Sequence, residues 1–556
     1  MEELSVLIGG KAGFGIDTSS VIIARILNRM GYYIYIYRDY PSLIRGGHTF
    51  SLIRASNQKI GAHRNSADYL LALNQDTINL HKDKLNDDSL IIYDSNAVNL
   101  EGVADSIARN PIALTELVKQ ESPSEIMRNT CIIGSFCKAA DIKWGILEEV
   151  LRSAIDKELD LNLKIARKGY EIPAQVKKIP ELNNPALSII TGNEAVSLGL
   201  IKAGLDTFIA YPMTPSSGIL HSLAQKGSDF GLKVIHPESE IAVILMALGV
   251  SYVGEKVAVA TSGGGFCLMT EGVSFSGMSE LPLVIVLGQR TGPSTGLPTY
   301  TGQTELHFAL NAGHGEFSRF IVAPGDAQEA YYWSAIALNI STKYQIPSII
   351  LTDKTMAEGA YSFNLDEIKE IKNQEFLPWD KKGPYKRYLD TESGISPLVT
   401  VPQKDTVVKI NSYEHDEYGI TTEESALTKK MADKRLRKEK YLLEDLENYP
   451  SVGVYGKLDA QEAIICWGSN KGVCTEAAQK LGLKVIHLVV LWPFPLKQFQ
   501  DALKGVNKTY SIENNATAQL AVLLKRFNIN IDQYILKYDG RPFTAEEIER
   551  QLEAHG

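Results

Sequence analysis

Two hydrophobic periods alternate along this chain. Residues 4–9, LSVLIG, are a short unbroken apolar run that predicts a buried strand. Apolar residues then recur at helical spacing from Asp17 to Met30, where Gly31 ends the pattern. GKAGFG at 10–15 lies between, so the chain opens as strand, glycine loop and helix. YYIYIYRDY, rich in aromatic and β-branched residues, predicts a second strand. HTFSLIR, YLLALN and LIIYDS continue the strand-like pieces among helical ones to about residue 170.

The stretch EIPAQVKKIPELNNPAL at 171–187 has three prolines and little periodicity, and reads as a linker or an ordered connector. A second series follows: a helix near 193–203, strand DTFIAY, a proline turn, helix GILHSLAQK, strand KVIHP, and a helix from Glu240. Strand KVAVATS, a triple glycine, strand LPLVIVLG and strand IPSIILTD complete it. Repeated strand–loop–helix units of this kind predict a doubly wound parallel sheet. From about 361 to 458 the chain turns charged, and TKKMADKRLRKEKYLLEDLEN predicts a solvated helix. A last α/β series has strands EAIICWG and KVIHLVVLW, with helices near 473–481 and 514–527. The fold class expected is α/β, with three α/β domains. These span 1–173, 191–385 and 459–556, joined by a linker at 174–190 and a charged connector at 386–458.

The 44% hydrophobic content supplies ample core for these domains, and a net charge of −9 argues against nucleic acid as the main partner. No apolar run reaches the ~18 residues of a membrane span, and the start MEELSVLIGG lacks the basic head of a signal peptide. A cytoplasmic location is therefore expected. Cys131, Cys137, Cys267, Cys466 and Cys474 are scattered without a C-x-x-C pair, which argues against an iron–sulfur or zinc site within this chain.

Candidate chemistry sits on loops. GKAGFG reads equally as a tight turn and as an anion site at a helix N-terminus. The three glycines after Ser262 exceed what a turn needs and favour close approach of a ligand or another backbone. In HPESE, one glutamate is accounted for by the helix dipole, and His236 reads as a structural residue. The other glutamate can hold a carboxylate at the buried end of the sheet. In YPMTPSSG, two prolines frame a turn around Thr214. Arg290, directly after LPLVIVLG, offers a planar fork for a carboxylate. Ligands of open α/β sheets lie outside the carboxyl ends of the strands. Thr214, Glu240 and Arg290 therefore suit a small anionic carbonyl compound beside a cofactor that needs a carboxylate. No serine- or cysteine-type nucleophile–base pair accompanies them.

YPMTPSSG, the ESE doublet, TSGGGF with LMTEG, and QRTGPSTGLPT occur here in an order that resembles the α chain of 2-oxoacid:ferredoxin oxidoreductases. GGKAGFGIDTSS and RGGHTFSLIR resemble the γ domain that some of these α chains carry at the N-terminus, and HDEYG with KRLRK resembles their connector. The resemblance implies a central thiamine-pyrimidine-binding domain and a thiamine-diphosphate-dependent oxidative decarboxylation of a 2-oxoacid. The acyl group would pass to coenzyme A and the electrons to ferredoxin. It implies that Glu240, with Glu238 in reserve, bonds N1′ of the aminopyrimidine, that Pro212 lies near the cofactor ring, and that Arg290 clamps the substrate carboxylate. Thr214 and Thr299 would hydrogen-bond the oxoacid. Met213 stands where isoleucine is commoner.

The GDG motif that holds magnesium and diphosphate in such enzymes has no match; Gly325-Asp326-Ala327 lacks the second glycine. A β chain is therefore expected to bring the Mg–diphosphate site and a [4Fe–4S] cluster. The fused γ domain and GPSTGLPT point, by analogy, to 2-oxoglutarate or to broad specificity that includes pyruvate. Two other readings compete. An indolepyruvate-type subunit would ordinarily carry cluster cysteines, which are missing. A non-catalytic nucleotide- or coenzyme-A-binding module has no use for Glu240, Arg290 and Thr214 together.

Overall fold

A computed structural model describes residues 3–41, 46–122 and 124–555. The chain divides into two compact units. The first comprises residues 1–190 with two later returns, Gly359–Asn364 and Thr544–Arg550. Its sheet holds β1 (Glu3–Lys11), β2 (Tyr33–Asp39), β3 (His48–Ser56), β4 (Tyr69–Ala72), β5 (Leu90–Asp94), β6 (Ala108–Ile112), β7 (Ser188–Thr191) and β14 (Ala360–Phe363), in the order β6-β5-β4-β1-β3-β2-β14-β7. β1 pairs parallel with β4 and antiparallel with β3, so the sheet is mixed. GKAGFG closes β1 onto the helix Ile16–Arg29 as a tight turn with Gly13 and Gly15 at positive φ. The Ala12 N–H donates to the Gly47 carbonyl, 2.9 Å away. Arg45, the first residue of RGGHTFSLIR, lies outside the described residues.

The second unit contains two sheets. The larger joins β8 (Thr207–Ala210), β9 (Lys233–Ile235), β10 (Val257–Ser262), β11 (Leu283–Gln289), β12 (Phe320–Val322), β13 (Pro347–Asp353) and β18 (Val490–Trp492), in the order β18-β12-β13-β11-β10-β8-β9. β8 to β13 are mutually parallel, and β11 (LVIVLGQ) and β13 (PSIILTD) are buried along their whole length, as expected of strands covered by helices on both faces. From β8 the chain runs first to β9 on one side, then to β10 on the other. That reversal opens a crevice at the carboxyl ends of β8 and β10. The smaller sheet holds β15 (Val452–Gly456), β16 (Glu462–Trp467), β17 (Lys484–Leu488), β19 (Lys508–Glu513) and β20 (Gln533–Leu536), in the order β15-β17-β16-β19-β20.

Two expectations need correction. KVIHLVVLW is two strands rather than one: β17 pairs within the smaller sheet, while β18 leaves it to pair antiparallel with β12. The bare edge of β12 is thereby covered. The charged run is helical, Ser425–Leu446, but only one face of it is solvated: Lys434, Arg435 and Lys438 are buried, while Lys429, Lys430 and Lys440 are exposed. Glu280, buried at the end of the helix Gly263–Ser279, receives Lys434 Nζ at 2.7 and 2.8 Å and Lys438 Nζ at 2.5 Å. Arg387 donates to the Ser279 and Glu280 carbonyls. Burial alone would push the Glu280 carboxyl up; the charges of Lys434, Lys438 and Arg387 outweigh it and hold the group well below the usual carboxylate range. On the buried face the Glu280 carboxylate, rather than water, compensates the two lysines.

Among the described residues no helix is long and apolar enough to cross a membrane.

Candidate active site

The crevice between β8 and β10 is built by four loops. After β8 the turn Tyr211–Ser216 is fastened at several points. Ser216 donates through both its N–H and Oγ to the Met213 carbonyl, each at 2.9 Å. The buried Asn193 amide donates to the Pro215 carbonyl at 2.9 Å. Pro215 packs on Gly288 at the end of β11, 3.1 Å from where a Cβ would stand. Pro212 is exposed and Thr214 half-buried on this turn. Two prolines and three hydrogen bonds hold it, so the Thr214 hydroxyl is presented from a fixed frame.

After β9 the chain enters the helix Glu240–Tyr252, with Ser239 as N-cap. Glu240 is only 4% exposed and its Oε1 is buried without a hydrogen-bond partner, whereas Glu238 is exposed. Glu240 lies against the first turn of the helix Gly263–Ser279, where the triple glycine sits; the glycines are helical rather than a free loop. A Cβ on Gly265 would stand 2.5 Å from Glu240 Oε1 and 2.1 Å from Thr261 Oγ1, so only glycine lets the carboxylate lie there. Met213 touches the same spot, its Sδ 4.0 Å from Thr261 Oγ1.

After β11 comes Arg290. Its Nη1 donates to the Thr214 carbonyl at 3.0 Å, joining the two loops. The loop that follows folds back through a bridge between Thr291 and Leu297, and brings in Thr299, buried, with Oγ1 lacking a partner. Residues 300–307 are gripped by the C-terminal part of the same unit. The Thr301 N–H reaches the Gly540 carbonyl at 3.1 Å and the Gln303 N–H the Asn514 carbonyl at 2.8 Å. The Arg541 guanidinium stacks on Tyr300, 3.8 Å from the ring centroid. Gln519 donates to the Thr304 carbonyl at 2.9 Å and accepts from the His307 N–H at 3.1 Å.

This grip delivers a residue that sequence reasoning missed, Glu305. Its Oε1 accepts from Thr304 Oγ1 at 2.7 Å and lies 2.7 Å from where a Gly263 Cβ would be, while Oε2 is buried without a partner. Burial raises its pKa to about 7, with the Thr304 hydrogen bonds and the Arg290 charge pulling the other way. Burial also lowers the Arg290 pKa, with Glu305 opposing. The one signal in the sequence, an acid just before LHFAL, is shared by most helix starts.

The crevice thus brings Thr214, Glu240, Arg290 and Thr299 to one end of one sheet, with Pro212 at its exposed lip. Partnerless buried oxygens belong to Glu240 and Glu305, which lie on the two flanks of a glycine turn, to Ser262 at its start, and to Thr299. The partnerless Glu240 Oε1 fits a planar ligand bearing an N–H donor. The arginine fits a carboxylate. A diphosphate–metal site is a different matter. Asp326, of Gly325-Asp326-Ala327, caps the helix Ala327–Tyr344 by accepting from the Glu329 N–H at 2.9 Å, and receives Lys471 Nζ at 2.6 Å. Among the described residues no three His, Cys, Asp or Glu side chains are grouped to hold a metal ion.

Comparisons with known proteins place the chain in a family. Residues 198–434 match the family described as pyruvate flavodoxin/ferredoxin oxidoreductase, thiamine diphosphate-binding, and residues 5–172 match the pyruvate ferredoxin/flavodoxin oxidoreductase family. The chain is 32% identical to the 2-oxoacid:ferredoxin oxidoreductase subunit alpha of Saccharolobus solfataricus, over 99% of this chain and 97% of that one. It is 31% identical to the 2-oxoglutarate synthase subunit KorA of Methanocaldococcus jannaschii, over 66% of this chain and 99% of that one. The 2-oxoglutarate:ferredoxin oxidoreductase of Magnetococcus marinus, solved with 2-oxoglutarate, coenzyme A and succinyl-CoA bound, superposes with a TM-score of 0.90 at 29% identity, over 100% of this chain and 99% of that one.

Proposed function

Because the chain belongs to the 2-oxoacid:ferredoxin oxidoreductases as an α subunit, we propose that it decarboxylates 2-oxoglutarate, with pyruvate as a second substrate, at a site completed by a partner. The chain is one subunit of a thiamine-diphosphate-dependent 2-oxoacid:ferredoxin oxidoreductase. When bound, thiamine diphosphate supplies the carbanion that attacks the oxo carbon and holds the electrons once CO2 has left. Glu240 holds N1′ of the aminopyrimidine and sets its tautomer. Arg290 takes the substrate carboxylate through its guanidinium fork, and the Thr214 and Thr299 hydroxyls bond the oxo oxygen as charge develops there. Pro212 walls the cofactor ring. Coenzyme A takes the acyl group and ferredoxin the electrons. The observation that carries this reading is the buried, partnerless Glu240 Oε1, which lies by Thr261 and Met213, next in the chain to Thr214, whose carbonyl Arg290 holds.

The partner in this proposal is a β subunit holding Mg, the diphosphate and a [4Fe–4S] cluster. Two features support it. Glu240 offers the partnerless buried oxygen that a pyrimidine would need, whereas Asp326 is committed to a helix cap and a lysine. The helices that begin at Glu240 and Gly263 leave Ile241, Leu245, Met246 and Leu268 between 40% and 52% exposed, an apolar face of the kind that another chain covers.

Anaerobic reduction of a viologen dye by 2-oxoglutarate or pyruvate plus coenzyme A tests the proposal. Activity is expected from the co-expressed α–β complex and not from this chain alone, with the lower KM for 2-oxoglutarate. Turnover by the isolated chain would overturn the shared site, and an intact complex inert toward both acids would overturn the substrate. Arg290→Ala is expected to cost about a hundredfold or more in kcat/KM through loss of a partly buried charged hydrogen bond, with assembly unchanged. Unaltered kcat/KM in that variant would remove Arg290 from the pocket.

A further inference from the structure

We propose that Glu305, in its neutral acid form, is a substrate-binding group that leaves the Arg290 charge free for the oxoacid carboxylate and donates its own O–H to the bound acid. The inference rests on the assignment of Arg290 as the carboxylate clamp. It begins from geometry. Glu305 is held on every side but one. Its N–H donates to Gln289 Oε1 at 3.1 Å, and Oε1 is taken by Thr304 Oγ1, whose hydroxyl also lies 3.2 Å from the Arg290 carbonyl. The absent side chain of Gly263 makes the space for Oε1. Only Oε2 is free, buried and without a protein partner.

A buried carboxylate would leave two lone pairs on that oxygen unsatisfied, whereas a carboxylic acid there has one proton to give and needs one acceptor. A ligand oxygen supplies it. Charge points the same way. With Glu305 neutral, Arg290 presents a net positive charge to an incoming anion; with Glu305 ionised, the pair cancels and Oε2 repels the substrate carboxylate. Around Glu305 the titratable groups are Arg290 at the end of β11, Glu240 across the glycine turn, and His307, whose Nε2 lies 2.9 Å from the Gln519 carbonyl. Arg290 is the charged group that acts on Glu305. A pKa near 7 puts the change of form within the working range. The sign follows from linkage: the binding-competent acid dominates below pH 7 and is lost above it, so substrate affinity falls as pH rises.

The test uses the α–β complex. Steady-state dye reduction, and calorimetric titration with N-oxalylglycine as an unreactive 2-oxoglutarate analogue, are run from about pH 6 to about pH 8.5. In the wild-type complex KM and the analogue Kd should rise by about tenfold per pH unit above about pH 7 with kcat steady, and analogue binding should take up a proton. Glu305→Gln keeps an N–H donor and cannot ionise, so its KM and Kd should stay flat at the low-pH value. The same slope in Glu305→Gln as in wild type would overturn the proposal. So would a flat profile in a wild-type complex that turns over normally, a result that leaves the oxoacid assignment standing. A complex that neither binds the analogue nor turns over at any pH would sink both. The wild-type profile decides the matter even if the variant fails to assemble.

Discussion

Glu240→Gln is expected to cost the α–β complex about 10²–10⁴-fold in kcat, the range for losing a positioned proton-transfer group. The substitution is isosteric, and the Gly265 slot accepts an amide as it accepts a carboxylate, so thermal stability and assembly should hold. An amide, though, cannot take the proton that a ring nitrogen gives up or receives. Glu238→Gln is the control: Glu238 is exposed, and its loss should change kcat by less than about twofold. Comparing dye reduction, melting temperature and complex formation for the two variants checks the assignment. Full activity in Glu240→Gln together with loss in Glu238→Gln would reverse it.

The second large effect is on stability. Removing the Glu280 side chain leaves Lys434 and Lys438 uncompensated at the end of a buried helix face, and breaking a buried ion pair by deleting one partner costs about 3–5 kcal/mol. Glu280→Gln should therefore unfold at markedly lower urea concentration than wild type at pH 7. The pH dependence has a definite sign. The Glu280 carboxyl is depressed in the folded state, so its contribution is complete above the ordinary carboxylate pKa of about 4.5. Below that pH it fades by about 1.4 kcal/mol per unit, and wild type and variant should converge as the solution is acidified. Equal midpoints at pH 7 would mean that water already reaches the two lysines.

What could be read from residues alone was whatever local pattern fixes. The apolar runs of β8 to β11 and of β13 foretell parallel strands, though the three-residue β12 escapes such a reading, and loops at the carboxyl ends have to carry Thr214, Glu240 and Arg290. Reading failed where the deciding partner is distant. Lys434 looks like any surface lysine because its counter-ion stands 154 residues earlier in the chain. Glu305 looks like an ordinary helix-start acid because its burial comes from Gly263, Arg290 and Gln519, none of them nearby in sequence. The triple glycine signals close approach, but nothing local shows it to be the first turn of a helix with a glutamate on either flank. KVIHLVVLW has the composition of one strand, and only the open edge of β12 separates it into two.

That separation bears on inheritance. A C-terminal piece beginning near residue 452 resembles an interchangeable module with a sheet of its own, although its apolar residues join one core with the larger sheet. Yet it lends three residues, Val490–Trp492, to the neighbouring sheet, and Gln519, Asn514, Gly540 and Arg541 reach back to hold the loop that carries Glu305. A graft of this piece from a relative must match Trp492 and Val490 to Ile321 and Val322, and must bring an amide that reaches Thr304. Chimeras joined at the connector should thus fold only when both halves come from lineages that have kept these few contacts together, and the two halves should evolve as one gene.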